Sequence, residues 1–225
     1  MVVEQLPDLR RFAEGHGLAA MGVADLDALR KREPAAAAFV PPELSRGIVI
    51  GVRLLDAVVD EIQDRPTLLY FHVYRQANYA LDRVALSLAL RLQEAGHRAL
   101  AVPASQVTAP GGLRGMVSHR LIGNAAGIGW IGRSRLLVNA RFGARLRYAS
   151  VLTDAPYPPG KPMECRCGDC RKCIDACPAG AVKESSRDFD LEACFEKLSE
   201  FRKLPFIGQH VCGICVKACR GPDCL

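Results

Sequence analysis

The cysteines of this chain constrain its fold more than any other feature, because all ten lie at or after residue 165. The first run reads Cys167-Gly-Asp-Cys170-Arg-Lys-Cys173-Ile-Asp-Ala-Cys177-Pro178, which is the spacing C-x2-C-x2-C-x3-C-P. Bacterial proteins hold iron–sulfur clusters with this spacing, and its fourth cysteine ligates the other cluster of a pair. Proline suits the position after it, since a helix begins well with a fixed φ and needs no N–H there. The run therefore predicts a cubane site.

A second, shorter run reads Cys212-Gly-Ile-Cys215-Val-Lys-Ala-Cys219 and supplies only three thiolates. Cys194 lies between the two runs and is the natural fourth donor. Exchanging the last cysteine of each run completes two ligand sets. The prediction is two [4Fe–4S] clusters, one held by Cys167, Cys170, Cys173 and Cys219, the other by Cys177, Cys194, Cys212 and Cys215.

Zinc and disulfides are the alternatives for these cysteines. Zinc sites usually pair C-x2-C units a dozen or more residues apart, and four closely spaced cysteines overfill a tetrahedral site. Disulfides belong to oxidising compartments and small secreted chains. Cys165 and Cys224 remain outside both predicted ligand sets.

The division of cysteines predicts two domains. Residues 1–158 form a thiol-free body, and residues 159–225 form a tail small enough to depend on its clusters for stability. The N-terminus lacks the pattern of a secretory signal, and no apolar stretch reaches the ~20 residues of a membrane span, so we expect a cytoplasmic protein. The formal net charge is +6, but bound clusters would make the tail locally acidic.

The body alternates predicted helices and strands, which indicates an α+β fold. Apolar residues at helical spacing predict helices over 5–15 and 78–95, the second ending at Gly96. The β-branched run 47–53 predicts a buried central strand. Further strands are predicted at 18–23, 98–102, 135–139 and 145–152, with a hairpin late in the body, and connectors at 34–42 and 103–116.

The segment Gly127-Ile-Gly129-Trp-Ile-Gly132 matches G-x-G-x-x-G. A dinucleotide site requires a strand before this motif and a helix after it, whereas residues 118–126 are predicted to be helical and 135–139 to be a strand. A tight glycine turn is one alternative. Another is a backbone that lies flat against a planar cofactor, with Trp130 beside it.

Between residues 95 and 153 the chain has no Asp or Glu but eight arginines. Such a run is often a solvated face, yet arginine also suits contacts with phosphate, carboxylate or an acidic protein surface. We rank nucleic acid lower as the partner of this face. The arginines are Arg98, Arg114, Arg120, Arg133, Arg135, Arg141, Arg145 and Arg147.

Candidate proton donors are His119, Tyr74 and Tyr148, although each residue type is more often structural.

Several stretches together resemble the iron–sulfur epoxyqueuosine reductases and, more distantly, the reductive dehalogenases. They are residues 126–134, Leu136–Val138, Phe142-Gly143 and residues 150–156, followed by the first cysteine run. The resemblance implies a nitroreductase-like α/β body that holds cobalamin beside a ferredoxin-like double [4Fe–4S] domain, with FMN as a second choice. It places Gly127, Gly129, Trp130, Gly132, Arg133 and Ser134 along the corrinoid.

Two departures from that family shape the functional expectation. The family places a catalytic Asp shortly before the glycine segment, where this sequence has no carboxylate, and it continues into helical repeats beyond the point where this sequence ends at Leu225. We therefore expect a short paralogue, a redox enzyme that takes electrons from a ferredoxin or flavodoxin and does not act on tRNA. The alternative is an electron-transfer or accessory subunit with its arginine-rich face against a protein partner.

Overall fold

The computed structural model describes residues 7–34, 39–106 and 115–221, so that Arg114 and Cys224 lie outside the described residues. The chain has a mixed α/β fold with a four-stranded sheet. Within the described residues no helix has both the length and the apolar character needed to cross a lipid bilayer.

Helices and strands follow one another along the whole chain. The helices are α1 (Pro7–Gly15), α2 (Leu26–Arg32), α3 (Asp56–Asp60), α4 (Leu68–Glu94), α5 (His119–Ala125), α6 (Lys172–Asp175), α7 (Leu191–Arg202) and α8 (Ile214–Ala218), with a 3-10 turn at Ser186–Asp188. The strands are β1 (Ala20–Asp25), β2 (Arg46–Arg53), β3 (Ala99–Val102), β4 (Trp130–Ile131), β5 (Leu137–Val138) and β6 (Leu146–Thr153).

The main sheet has the strand order β1-β2-β6-β3. β1 and β2 are antiparallel, from Ala20 opposite Gly51 to Asp25 opposite Arg46. β3 and β6 are also antiparallel, with Val102 opposite Ser150. The apolar run over 47–53 is therefore an interior strand, as its sequence predicts, because β-branched residues covered on both faces favour such a position.

The predicted late hairpin exists, but its strands differ from those expected. β5 pairs with β4, Trp130 lying opposite Val138, while β6 joins the main sheet. The connection is a tight turn in which Arg135 N–H donates to the Gly132 carbonyl and Arg135 adopts φ 57°. A two-residue strand is too short to show an alternating pattern, which explains why the sequence did not reveal β4.

Helix α4 ends where predicted but begins ten residues earlier. At its end Gly96 has φ 86°, and His97 N–H donates to the Leu92 carbonyl at 2.9 Å, as glycine caps do. At its start the Thr67 hydroxyl accepts from the Tyr70 N–H at 3.0 Å. Leu68 and Leu69 are exposed whereas Tyr70 and Phe71 are buried, so the first turn does not show the apolar repeat at three and four residues on which the prediction depended.

The chain forms two compact units, each built from separate segments. One comprises Met1–Arg53, Ala77–Gly129 and Arg147–Met163; the other comprises Leu54–Gln76, Trp130–Leu146 and Glu164–Leu225. We call them the sheet unit and the cysteine unit. The predicted division into a thiol-free body, residues 1–158, and a cysteine-rich tail, residues 159–225, stays a prediction.

The sheet unit has a continuous apolar core. Leu81, Ala85, Leu88 and Leu92 recur at three- and four-residue spacing on α4 and are all buried. They belong to one cluster with Leu9 and Phe12 of α1 and with inward residues of the sheet: Met21, Val23, Ile48, Ile50, Ala149 and Val151. Packing of these amphipathic faces accounts for most of the stability of the helices.

The cysteine unit contains a buried ion network. Arg145 is only 3% exposed, and its guanidinium donates to Asp56 at 3.0 Å and to Asp60 at 2.7 Å. The same side chain donates to the Lys217 carbonyl at 3.0 Å. The hydrogen bond from Arg145 lowers the pKa of Asp60. Arg145 thus ties α3 to α8, the helix of the second cysteine run.

We expect the double substitution Asp56→Asn, Asp60→Asn to destabilise the protein by about 3 kcal/mol. This is the lower end of the range for breaking a buried pair, because the two carboxylates remain partly solvated while Arg145 loses its counter-charges. Anaerobic chemical denaturation measures the change. Asp64→Asn, which breaks an exposed pair with Arg65, is the control and should leave the midpoint unchanged; equal midpoints for both variants would contradict this role of Arg145.

Candidate metal centre

Four of the eight predicted ligands line one cavity in the cysteine unit. Its volume is about 30 Å³. The thiols are those of Cys167, Cys170, Cys173 and Cys219, and the remaining walls are Trp130, Val138, Arg166, Lys172, Ala218 and Gly221. These four cysteines are the set that the exchange between the two runs assigns to one cluster.

The first cysteine run is a tight turn followed by a short helix. Cys170 N–H donates to the Cys167 carbonyl at 3.0 Å, with Gly168 at φ 49° between them. Cys173 lies on α6, and Cys177 follows that helix, its N–H donating to the Ile174 carbonyl at 3.1 Å. Cys167, Cys170 and Cys173 line the cavity, and Cys177 is not among its lining residues.

Arg133 fastens this turn through its carbonyl groups. Its guanidinium donates to the Cys170 carbonyl at 2.8 Å, the Gly168 carbonyl at 2.8 Å and the Glu184 carbonyl at 3.0 Å. A planar fork with five donors suits such a set of acceptors, and lysine could not reproduce it. Arg133 was expected along a corrinoid; in the structure its donors are engaged by the cysteine loop.

Trp130 and Gly132, from the same glycine segment, also contact the cysteine turn or its cavity. A Cβ on Gly132 would lie 2.8 Å from Val138 Cγ2 and 3.5 Å from Cys167 Sγ. Trp130 and Ser134 are both buried, and of the two only Trp130 is among the residues that line the cavity. Absence of a side chain at residue 132 therefore makes room for Val138 within the β4–β5 hairpin, and the Cys167 thiol lies at contact distance from the same position.

The first half of the glycine segment belongs to the sheet unit. Gly127 has φ 75°, and a Cβ there would lie 2.7 Å from the Lys161 carbonyl oxygen. Asn124 Nδ2 donates to the Gly129 carbonyl at 3.1 Å and to the Met163 carbonyl at 2.7 Å. The motif follows helix α5 and leads into strand β4, which is the reverse of a dinucleotide-binding arrangement.

Cys219 is positioned by a segment that the sequence analysis did not identify as functional. Ala144 N–H donates to the Cys219 carbonyl at 3.1 Å. Gly143 has φ 59°, and a Cβ there would overlap the Cys219 carbonyl oxygen and the Gly221 amide nitrogen at less than 2.5 Å. Only glycine permits this approach of the two backbones.

The other four predicted ligands influence one another electrostatically. Burial raises the pKa of the Cys215 thiol, and the nearby thiols of Cys212, Cys194 and Cys177 raise it further, with a smaller effect of Cys173. Burial likewise raises the pKa of Cys212 to about 11, with Cys194 and Cys177 contributing. A bound metal cluster would require these thiols as thiolates and would supply the missing positive charge.

The remaining cysteines have no place in either set. Cys165 is exposed, and Cys224 lies outside the described residues. Over residues 7–34, 39–106 and 115–221, no three His, Cys, Asp or Glu side chains lie close enough together to hold a single metal ion.

His119 forms hydrogen bonds through both ring nitrogens inside the sheet unit. Nε2 donates to the Pro103 carbonyl at 2.8 Å, which leaves Nδ1 to accept from the Ser150 hydroxyl at 2.9 Å. Burial, and to a smaller extent the charge of Arg147, lowers the pKa of His119 to about 4 against the opposing effect of the hydrogen bond to the Pro103 carbonyl. These contacts describe a neutral structural histidine.

The two candidate tyrosines differ in their surroundings. Tyr148 of β6 is buried, its hydroxyl has no hydrogen-bond partner among the described residues, and burial raises its pKa. Tyr74 is half-buried on α4 and belongs to the cysteine unit. Tyr148 and His119 both belong to the sheet unit.

The arginine run is largely engaged in specific contacts. Arg145 and Arg133 bind groups within the cysteine unit, as described above. Arg147 donates to Asn78 Oδ1 at 3.0 Å and to the Ala104 carbonyl at 3.2 Å, and Arg98 forms an ion pair with Glu43 at 3.7 Å. Arg145 in particular is buried and cannot belong to the predicted exposed face.

We expect His119 to make the stability of the protein depend on pH. Its folded pKa is lowered, so the unfolded chain binds more protons below about pH 6.5, and the contribution present above that pH is lost as the pH falls toward 4. Between about pH 7 and pH 5 the wild type should lose about 1–2 kcal/mol more than His119→Gln. Anaerobic thermal unfolding at both pH values measures this difference; parallel losses would contradict it.

If the eight cysteines hold two clusters, as the sequence predicts, we expect Gly143→Ala to remove one of them. The added methyl group overlaps the Cys219 backbone, so the cavity of Cys167, Cys170, Cys173 and Cys219 should lose its cluster and bound iron should fall to about half. Iron analysis and paramagnetic resonance measure the loss. Gly208→Ala, where nothing lies within 4 Å of the new Cβ, is the matched control; full iron in both variants would contradict the assignment.

The sequence and the fold are similar to known proteins, although no family model matches the chain. It is 37% identical over 86 residues to the epoxyqueuosine reductase of Bacillus cereus, which covers 38% of this chain and 22% of that protein. It is 32% identical over 106 residues to the epoxyqueuosine reductase of Yersinia pestis, which covers 43% of this chain and 25% of that protein. The matched stretches thus span about a quarter of these relatives or less.

Solved structures share the fold over nearly the whole chain. An epoxyqueuosine reductase from Bacillus subtilis has a TM-score of 0.61 at 21% identity, covering 97% of this chain and 65% of that chain. A catabolic reductive dehalogenase has a TM-score of 0.68 at 18% identity, covering 92% of this chain and 31% of that chain. The resemblance is therefore confirmed: this chain is similar to the epoxyqueuosine reductases in sequence and fold, and to the reductive dehalogenases in fold.

Proposed function

We propose that this chain is a redox enzyme related to the epoxyqueuosine reductases, in which eight cysteines hold two [4Fe–4S] clusters that relay electrons to a substrate site. The observation that carries the proposal is the cavity lined by Cys167, Cys170, Cys173 and Cys219. Three of these thiols are neighbours in sequence, and the fourth comes from the second run. Cysteine-rich turns of this kind are how iron–sulfur clusters are held.

The second ligand set supports the crosswise arrangement. Burial is the main reason why the pKa of Cys215 is raised, and the thiols that raise it further are those of Cys212, Cys194, Cys177 and, with the smallest effect, Cys173. Cys177 of the first run is therefore near enough to Cys215 to act on it electrostatically, as the proposed exchange of the last cysteines requires. On this proposal residues 159–225 act as a ferredoxin-like double-cluster domain, with a nitroreductase-like body in residues 1–158.

On this proposal the chain itself orients the cysteine ligands of the cluster and limits the access of solvent to it. Arg133 holds the carbonyls of the first turn, and Gly143 and Ala144 hold that of Cys219, so that the thiols are oriented before a cluster binds. Val138 and Ala218 line the cavity with apolar surface. Limited solvent access and fixed dipoles around a cluster set its potential.

A corrinoid remains part of the proposal, with FMN as the second choice, because the similar proteins include reductive dehalogenases. A bound corrinoid would supply a cobalt centre that accepts electrons singly and reduces the substrate. The residues expected along it do not fit that role in the structure: Gly127 and Gly132 face the chain itself, and Arg133 binds the cysteine loop. We therefore derive no step through it.

The substrate class is a separate question. One similar structure is an epoxyqueuosine reductase with an epoxyqueuosine-modified tRNA stem loop, which is in tension with the expectation that tRNA is not a partner of this chain. No Asp or Glu lies between residues 95 and 153 to act as the acid before the glycine segment. Because a similar structure contains a modified tRNA stem loop, such a stem loop is the first substrate to test.

We expect protein purified without oxygen to contain about eight irons per chain in two clusters. Cys194→Ser should remove about half of the iron, because it takes one ligand from one set only, and Cys165→Ser should remove none. Iron analysis, zinc analysis and paramagnetic resonance measure this. Zinc in place of iron, or equal loss in both variants, would contradict the two-cluster proposal.

Cofactor absorbance separates the enzyme from its rival, an electron-transfer or accessory subunit. A specific surface feature favours the rival: Phe206 is 81% exposed beside Arg75 and Arg202, which suits an acidic protein partner. A preparation that holds iron together with corrinoid or flavin supports the enzyme. Iron without either would favour the subunit.

A further inference from the structure

Trp130 carries a buried donor that the fold leaves without a partner. It is the single tryptophan of the chain and is 3% exposed. Its indole Nε1–H has no hydrogen-bond partner among the described residues. Leaving such a group unpaired destabilises a fold, so each instance in a native structure calls for an explanation.

The surroundings of Trp130 offer sulfur as the acceptor. Its neighbours around the cavity are the thiols of Cys167, Cys170, Cys173 and Cys219. The charged side chains in the same walls, Arg166 and Lys172, are donors and cannot accept a hydrogen bond from an indole. Val138, opposite Trp130 in the β4–β5 pair, is apolar. Sulfur is therefore the acceptor type that the side chains of this cavity provide.

Position also favours a fixed orientation of the indole. Trp130 begins the β4–β5 hairpin, whose turn is closed by the hydrogen bond from Arg135 to Gly132. The next residues of that turn include Arg133, which binds the cysteine loop. The hairpin thus holds the indole and the cysteine turn in one packed unit.

We infer that the indole N–H of Trp130 donates a hydrogen bond to a sulfur of the cluster held by Cys167, Cys170, Cys173 and Cys219, and so raises the reduction potential of that cluster relative to a site without it. This inference rests on the proposed two-cluster function. Reduction adds one electron to the cluster and makes its sulfurs more negative, so a donor stabilises the reduced state more than the oxidised state.

The first experiment is a redox titration of Trp130→Phe, followed by paramagnetic resonance of both clusters. The midpoint potential of the cluster held by Cys167, Cys170, Cys173 and Cys219 should become more negative. The midpoint potential of the Cys177 cluster should stay unchanged and serves as the internal control. A tenfold change in the ratio of reduced to oxidised cluster at a fixed potential corresponds to about 59 mV for one electron. Unchanged midpoints for both clusters would overturn the inference.

The second experiment uses the unaltered sequence, so it also decides the case in which Trp130→Phe fails to hold its cluster. Tryptophan labelled with ¹⁵N in the indole marks only Trp130, because the chain has no other. Pulsed paramagnetic resonance of the reduced protein should show coupling of that nitrogen to one cluster. Two clusters without such coupling would overturn the inference alone, whereas a wild type without clusters would overturn the proposed function as well.

Discussion

A turn made of four cysteines has little regular structure of its own, so its carbonyl groups must be held from outside. In this chain Arg133 holds two carbonyls of the first turn, and Ala144 holds that of Cys219. The thiols lie where they do because these donors fix the backbone that carries them. The geometry of the whole cysteine unit depends on this constraint.

The donors come from a part of the chain that the cysteine pattern does not reach. The segment Trp130–Leu146 precedes the first cysteine run and packs with it in one unit, as does Leu54–Gln76. Arg145 links this segment to α3 and to the Lys217 carbonyl. The cysteine-rich tail is therefore stabilised by hydrogen bonds and ion pairs from earlier residues as well as by any cluster it binds.

The glycine segment shows how one motif can serve two places. Gly127 lets the backbone pass close to Lys161, and Gly132 leaves room for the Val138 side chain. Each glycine removes a side chain for which there is no space, which is a packing reason for a pattern that also matches a nucleotide-binding motif. The motif alone could not distinguish these reasons, because each requires the same residue type.

The sequence by itself determined the interior strand Arg46–Arg53 and the capped end of α4 before Gly96, because periodicity and capping are local properties. The tertiary structure alone decided the roles of Arg133, Arg145 and Gly143, and the pairing of Trp130 with Val138. An arginine in a basic run carries no sign of which carbonyl or carboxylate it will meet. That partner is chosen by packing between residues far apart in the chain, and such contacts leave no local pattern.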